Sequence, residues 1–253
     1  MATMIGQRRI LATLLAIGVL AIAGCVYWRL FQFKQQLGDF SANFSVESGS
    51  SYTLVSLHPL LSDEDVDGLM EVEPSRREQT AGVEWWVYAF HKEPPDGSAP
   101  LVYRLGFAED RLARVEFPAQ FTQLYPEDGL SALLSALGGA ELDRRERRAR
   151  ARLAREQLAA GLPDRAGVDS ILGAPTERVQ DADSETWTYR YRLETVTTGE
   201  AERKRRAFGQ FRFDPAGRLQ QLATGIGRHD LTFDVEAART ERTDGADRRK
   251  MSP

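Results

Sequence analysis

Trp187-Thr188-Tyr189-Arg190-Tyr191-Arg192-Leu193 alternates large apolar side chains with polar ones. A repeat of two residues is that of a β-strand, so Trp187, Tyr189, Tyr191 and Leu193 point to one face and Thr188, Arg190 and Arg192 to the other. The segment predicts an antiparallel sheet with one face packed and the other in water. Upstream, Leu162-Pro163-Asp164 leads into Val168, Ile171 and Leu172 at helical spacing, and Gly173 stands where a helix ends. Downstream, Phe208 to Phe213 and Arg218 to Ala223 read as two strands joined by the turn Asp214-Pro215-Ala216-Gly217. Phe233 is a further candidate for the core.

The same order occurs once before. Val66-Asp67-Gly68-Leu69-Met70, Pro74-Ser75 and Trp86-Val87-Tyr88 are answered by Val168-Asp169-Ser170-Ile171-Leu172, Pro175-Thr176 and Trp187-Thr188-Tyr189, and Pro and Trp lie twelve residues apart in both. Each copy closes on Phe-turn-Leu, at Phe107 to Leu112 and Phe213 to Leu219. A period of about a hundred residues is too long for a solenoid repeat, so this is a duplicated small domain. In the first copy, Ser62-Asp63-Glu64-Asp65 is a capped, acid-rich helix start. Val83 to Phe90, Leu101 to Phe107 and Arg111 to Phe117 form a three-strand meander, preceded by a hairpin of Phe44 to Val46 with Tyr52 to Leu57. The predicted class is α+β: two tandem domains, each a short helix on a three- to four-stranded antiparallel meander.

Between the copies, Leu130, Leu133, Leu134 and Leu137 give one apolar helix face, ended by Gly138-Gly139. From Glu141 to Ala160, Arg, Glu and Ala dominate, a composition that favours a solvated helix. The expected boundaries are 1–24 for a signal peptide, 25–42 for a membrane-proximal tether, 43–118 for the first domain, 119–161 for a helical linker, 162–236 for the second domain and 237–253 for a disordered tail.

With 33 Lys and Arg against 37 Asp and Glu, the 253-residue chain carries a net charge of −4, and no basic field draws it to nucleic acid. Cys25 is the sole cysteine, so one chain forms no internal disulfide and no thiolate metal cluster. It sits in an uncharged apolar run of nineteen residues, Ile10 to Trp28, between Arg8-Arg9 and Arg29, which is an export signal or a membrane anchor. Ile22-Ala23-Gly24-Cys25 resembles a bacterial lipobox, which implies acylation of the Cys25 thiol and cleavage before it. Val26 after that cysteine implies sorting to the outer membrane. The other reading is a transmembrane helix, with the folded part in the periplasm and the anchor in the inner membrane. Both tether the chain to a membrane.

Leu172-Gly-Ala-Pro-Thr176, Trp187-Thr-Tyr189 and Phe213-Asp-Pro-Ala-Gly-Arg-Leu219 resemble the BamE (SmpA/OmlA) family of outer-membrane lipoproteins over roughly residues 162 to 224, and more faintly over 62 to 117. The resemblance implies helix-then-three-strand domains that assist β-barrel insertion and are not enzymes. The first copy departs from it, with Glu71-Val72-Glu73-Pro74 in place of the glycine turn. Tandem domains of this kind also resemble the secreted β-lactamase inhibitor proteins, whose two copies present a joint sheet to an enzyme.

His58, His91 and His229 are scattered, and the chain carries no nucleophile elbow, phosphate loop or dinucleotide fingerprint. Asp63, Glu64 and Asp65 are explained by capping. No catalytic residue, metal ligand or cofactor is expected. The candidate contacts for a partner or lipid are Trp85, which lies beside the core candidate Trp86 but on the opposite strand face, and the basic cluster Arg144, Arg145, Arg147 and Arg148. The expected function is that of a non-enzymatic, membrane-tethered scaffold of the cell envelope with protein partners. The alternative is a tandem-domain inhibitor of an envelope or extracellular enzyme.

Overall fold

The strand over Trp187 to Leu193 lies in the middle of a larger sheet than either copy requires. The computed structural model describes residues 28–143, 145–154, 161–194 and 205–236. It begins with a helix over residues 28–38 (α1), followed by α2 (Phe40–Asn43), β1 (Phe44–Ser48), β2 (Tyr52–Ser56), α3 (Asp63–Met70), β3 (Arg76–Thr80), β4 (Val83–Glu93), β5 (Leu101–Ala108) and β6 (Arg111–Glu116). Then come α4 (Ala119–Leu124), α5 (Glu127–Gly138), β7 (Glu141–Asp143), β8 (Arg148–Ala154), α6 (Arg165–Leu172), β9 (Glu177–Gln180), β10 (Glu185–Leu193), β11 (Arg206–Phe213), β12 (Leu219–Ile226) and β13 (His229–Glu236).

All thirteen of these strands join one sheet, ordered β1-β2-β6-β5-β4-β10-β11-β12-β13-β8-β7, with β3 on the first half of β4 and β9 on the first half of β10. This overturns the expectation of two tandem domains with separate small sheets. The reason lies in the second halves of β4 and β10, which pair with each other: Phe90 with Leu193, His91 with Arg192, Lys92 with Tyr191 and Glu93 with Arg190. Two separate sheets would leave both edges unpaired.

The duplication survives inside the shared sheet as a two-fold pattern centred on His91 and Arg192. Ser75 Oγ accepts from Ala89 N–H in its own copy and donates to the Glu194 carbonyl of the other. Thr176 Oγ1 accepts from Arg190 N–H and donates to the Glu93 carbonyl, at 3.1 and 3.0 Å. Trp86 and Trp187 donate Nε1–H to Glu84 and Glu185 at 2.8 Å each, and each indole is covered by an arginine, Arg77 or Arg178, 4.5 Å from its ring.

Local chemistry sets the helix ends. Ser62 and Asp65 form a capping box at α3, and Asp164 accepts from Gly167 N–H at 2.7 Å at α6. After α6 the chain turns at Gly173 with φ 67°, a conformation that a Cβ disfavours. After α3, Glu71 takes the left-handed conformation instead, with φ 53°.

The solvated helix expected from Glu141 onward is replaced, over the described residues, by β7 and β8. Composition misled because Arg148-Ala149-Arg150-Ala151-Arg152-Leu153 also has a period of two. Ala151 and Leu153 are buried, while Arg148, Arg150 and Arg152 are exposed. Strand β8 lies parallel to β13, so the sheet is mixed rather than a pure meander.

One apolar core runs along the inner sheet face through both copies. It includes Trp86, Tyr88, Phe90 and Phe107, then Trp187, Tyr189, Tyr191, Phe211 and Phe213, closed over by Leu124, Tyr125 and Leu133 of the α4–α5 region. A smaller cluster of Leu37, Phe44 and Leu54 lies under α1. Because the core is shared, urea unfolding followed by Trp fluorescence and by far-UV circular dichroism is expected to give one coincident transition. Phe213→Ala, at a fully buried position, is expected to lower stability by about 3–5 kcal/mol without resolving a second transition. Two transitions, one per copy, would contradict the shared core.

Candidate functional site

Three places in the fold have a chemistry beyond packing: the α1 attachment, the outer sheet face and an apolar cavity under α4 and α5. Cys25, Arg144 and the whole apolar run before Trp28 lie outside the described residues.

The chain enters the described body at residue 28, already helical, so at most about 10 Å of extended chain separates it from Cys25. Helix α1 is locked to the body at both ends. At its start, Arg29 Nη2 donates to the buried Asp65 carboxylate at 2.7 Å, and Ser62 N–H donates to the same carboxylate at 2.9 Å. Burial alone would raise the Asp65 pKa, but these donors outweigh it and hold the carboxyl below its ordinary value. At its end, α1 meets α5 through two glycines, where a Cβ on Gly138 would fall on the Gly38 backbone. Trp28 and Phe31 are left 60% and 43% exposed with their rings 5.9 Å apart, a pairing suited to a membrane interface. Among the described residues, no helix is long and apolar enough to cross a membrane.

Trp85 lies on the outer face, stacked under Arg104 at 4.5 Å, and Arg104 is in turn paired with Glu116 and Glu78 at 2.8 and 3.0 Å. The arginine cluster lies elsewhere. Four strands separate β4 from β8, so Trp85 and Arg148 are about 24 Å apart at normal strand spacing and form no common site. Arg147 pairs with Glu71 at 2.7 Å, Arg148 with Asp230 at 3.5 Å, Arg152 with Glu141 at 3.5 Å, and Arg150 with Asp234. Arg145 sits in the β7–β8 turn, its N–H on Asp143. These pairings make the region a mosaic of both signs instead of the basic patch that the sequence suggests. It borders a trough of about 580 Å³, with Phe208, Gln210, Ala223 and Thr232 on its floor.

The histidines stay apart. His91 meets Glu194 at 3.1 Å on the surface, and His229 is held below its ordinary pKa by burial and by nearby Arg147. Among the described residues, no three His, Cys, Asp or Glu side chains come together as a metal site. Asp63, Glu64 and Asp65 sit in the first turn of α3, with Asp65 completing the capping box.

The cavity lies between the inner sheet face and helices α4 and α5, across the junction of the copies, and measures about 330 Å³. Its walls include Phe90, Tyr191, Leu222 and Phe233 from the sheet, Phe121 and Tyr125 from the α4 region and Leu130, Leu134 and Leu137 from α5. No charged side chain is among the lining residues. The Tyr125 hydroxyl is buried without a hydrogen-bond partner, which costs roughly 1–3 kcal/mol. Burial, with Tyr103 nearby, pushes its pKa far above the ordinary phenol value, so it stays a neutral donor. On the opposite wall, Gly209 occupies the position that Tyr103 holds in the first copy, and a Cβ there would meet nothing closer than 3.9 Å.

The sequence reading missed this cavity. The signals were present in the row Phe117, Phe121, Tyr125, spaced by four, and in the loss of an aromatic at Gly209 when the copies are aligned. No protein-family model matches the chain, and no match is found among curated proteins or solved structures.

The α1 attachment generates a test with a definite sign. A carboxyl depressed in the folded state contributes stability above its unfolded pKa, near 4, and loses it as pH falls through the folded value. Arg29→Gln is expected to cost roughly 1.5–3 kcal/mol at neutral pH, and because the Asp65 carboxyl is then no longer held down, this deficit is expected to shrink as pH falls below about 4, leaving the acid limb of the stability curve shallower than that of the unaltered chain. Urea midpoints between pH 3 and pH 7 measure both effects, and an unchanged acid limb would show that Arg29 does not hold Asp65 charged.

Proposed function

We propose that the protein is a non-enzymatic, membrane-tethered interaction scaffold of the cell envelope, presenting the outer face of its continuous sheet to a protein partner. The observation that carries this reading is the locking of α1 to the body directly after the apolar run. Arg29 is bound to Asp65 and Gly38 lies against Gly138, which supports this reading because an anchor in the apolar run would then carry the whole sheet with it. The helices cover the inner face and leave the other to solvent and partners. The polar side chains detailed above serve one another as caps and ion pairs, an arrangement of a binding surface more than of a reaction centre. The BamE resemblance of residues 162 to 224 supports a place at the outer membrane with lipid on Cys25, in β-barrel assembly or maintenance.

One observation favours the second reading, an inhibitor of an envelope or extracellular enzyme. Both copies share one sheet, and the trough indents its outer face, which supplies the joint surface such an inhibitor uses.

Cross-linking in the native membrane, with partners identified by mass spectrometry, separates the two. The scaffold reading expects envelope-assembly components, and recovery of a single soluble enzyme would replace it with the inhibitor reading. Ala223→Arg, a bulky charge on the trough floor, is expected to lower partner recovery tenfold or more while leaving the circular dichroism spectrum unchanged. Mass spectrometry of the mature N-terminus tests the anchor: acylated Cys25 at the first position is expected, and an unmodified chain beginning at Met1 would remove the lipid.

A further inference from the structure

We infer that the cavity beneath α4 and α5 is a binding site for one acyl chain of a membrane glycerolipid, with the ester carbonyl accepting a hydrogen bond from Tyr125. This goes beyond the scaffold reading, which stands with the cavity empty or filled.

Four observations converge. The volume, about 330 Å³, is twice that of an apolar cavity able to take a benzene ring and falls in the range of small-molecule sites. The lining residues are nearly all apolar, so water gains few hydrogen bonds there and a hydrocarbon loses none. The buried Tyr125 hydroxyl has no protein partner, and a neutral donor in an uncharged wall selects a neutral acceptor, which an ester carbonyl is and an ionised carboxylate is not. The nearby ammonium of Lys92 is already held by Asp96 at 2.6 Å and by the Leu172 carbonyl at 3.0 Å. Finally, space has been opened in one copy and not in the other: Tyr103 fills its position in β5, while Gly209 leaves the matching position in β11 vacant.

The source of the chain follows from the attachment. The apolar run ends at Trp28, where α1 is already docked on the body, and with that run in a bilayer the body lies within a few residues of it, an inference that rests on the membrane tether of the proposed function. A lipid of that bilayer is the acyl donor at highest local concentration.

The test uses the full chain reconstituted in phosphatidylcholine vesicles with a trace of phosphatidylcholine bearing a diazirine at one acyl terminus. Irradiation followed by peptide mapping is expected to label the α4–α5 segment and β11–β12, besides the apolar run before residue 28. Gly209→Leu grows a side chain into the cavity from a position where a Cβ meets only the Phe211 ring, at 3.9 Å, and is expected to cut the α4–α5 label at least tenfold while leaving the apolar-run label unchanged. Leu134→Trp fills the space from the opposite wall and is expected to do the same, so a folding failure of one variant does not decide the matter. Tyr125→Phe is expected to reduce labelling about fivefold, the effect of one hydrogen bond. Label confined to residues before 28, or undiminished in both filled variants, overturns the site. Labelling by a free diazirine fatty acid but not by the phospholipid overturns the glycerolipid source. Partner cross-linking measured in Gly209→Leu is expected to match that of the unaltered chain, so the two readings fail separately.

Discussion

The antiparallel pairing of the second halves of β4 and β10 is the constraint on which the rest of the structure depends. Its register places Phe90 and Lys92 beside Leu193 and Tyr191 on the inner face, and His91 and Glu93 beside Arg192 and Arg190 outside. A slip of one residue would turn Tyr191 and Leu193 to water and bury two arginines. Ser75 and Thr176 oppose that slip, since each hydroxyl bonds one strand of its own copy and the strand end of the other. The copies are therefore not two units that happen to touch. Each completes hydrogen bonds that the other leaves open.

Against this two-fold frame, the differences between copies stand out. Tyr189 donates its hydroxyl to the Gly173 carbonyl at 2.9 Å, whereas Tyr88, its counterpart, is buried with no partner beside a turn where Glu71 replaces the glycine. Tyr103 is answered by Gly209. Strand β6 is flanked by the β1–β2 hairpin, while β12 is flanked by β13 and then by β8 in parallel. The trough and the cavity both extend into the second copy, so its surface and interior have diverged into recesses while the repeated Trp, Glu and Arg groups kept the frame.

How much of this could be read from the residues varied with the range of the interaction involved. The alternation in Trp187 to Leu193, the Ser62 cap and the strands of each meander depend on neighbours within a few positions, and they stand in the structure where local patterning puts them. The seam between copies was invisible because its partners lie about a hundred residues apart and its hydroxyls, next to proline, read as ordinary turn formers. Strand β8 was misjudged for a different reason. Ala and Arg favour helices in isolation, but the parallel pairing with β13 and the burial of Ala151 and Leu153 override that preference. The arginines looked like a basic patch because their acidic partners, Glu71, Asp230 and Asp234, come from distant segments. A void cannot be read from a pattern of side chains at all, except where aligned copies show a tyrosine exchanged for a glycine.

The contact of Gly38 with Gly138 has a mechanical consequence. Two helices that touch backbone to backbone cannot roll or slide on each other without separating, and Arg29 pins the far end of α1 to the body. From residue 28 onward the chain therefore moves with the sheet as one piece. Helix α1 acts as a rigid stub in place of a leash, and any slack between the sheet and what precedes it has to come from residues before 28.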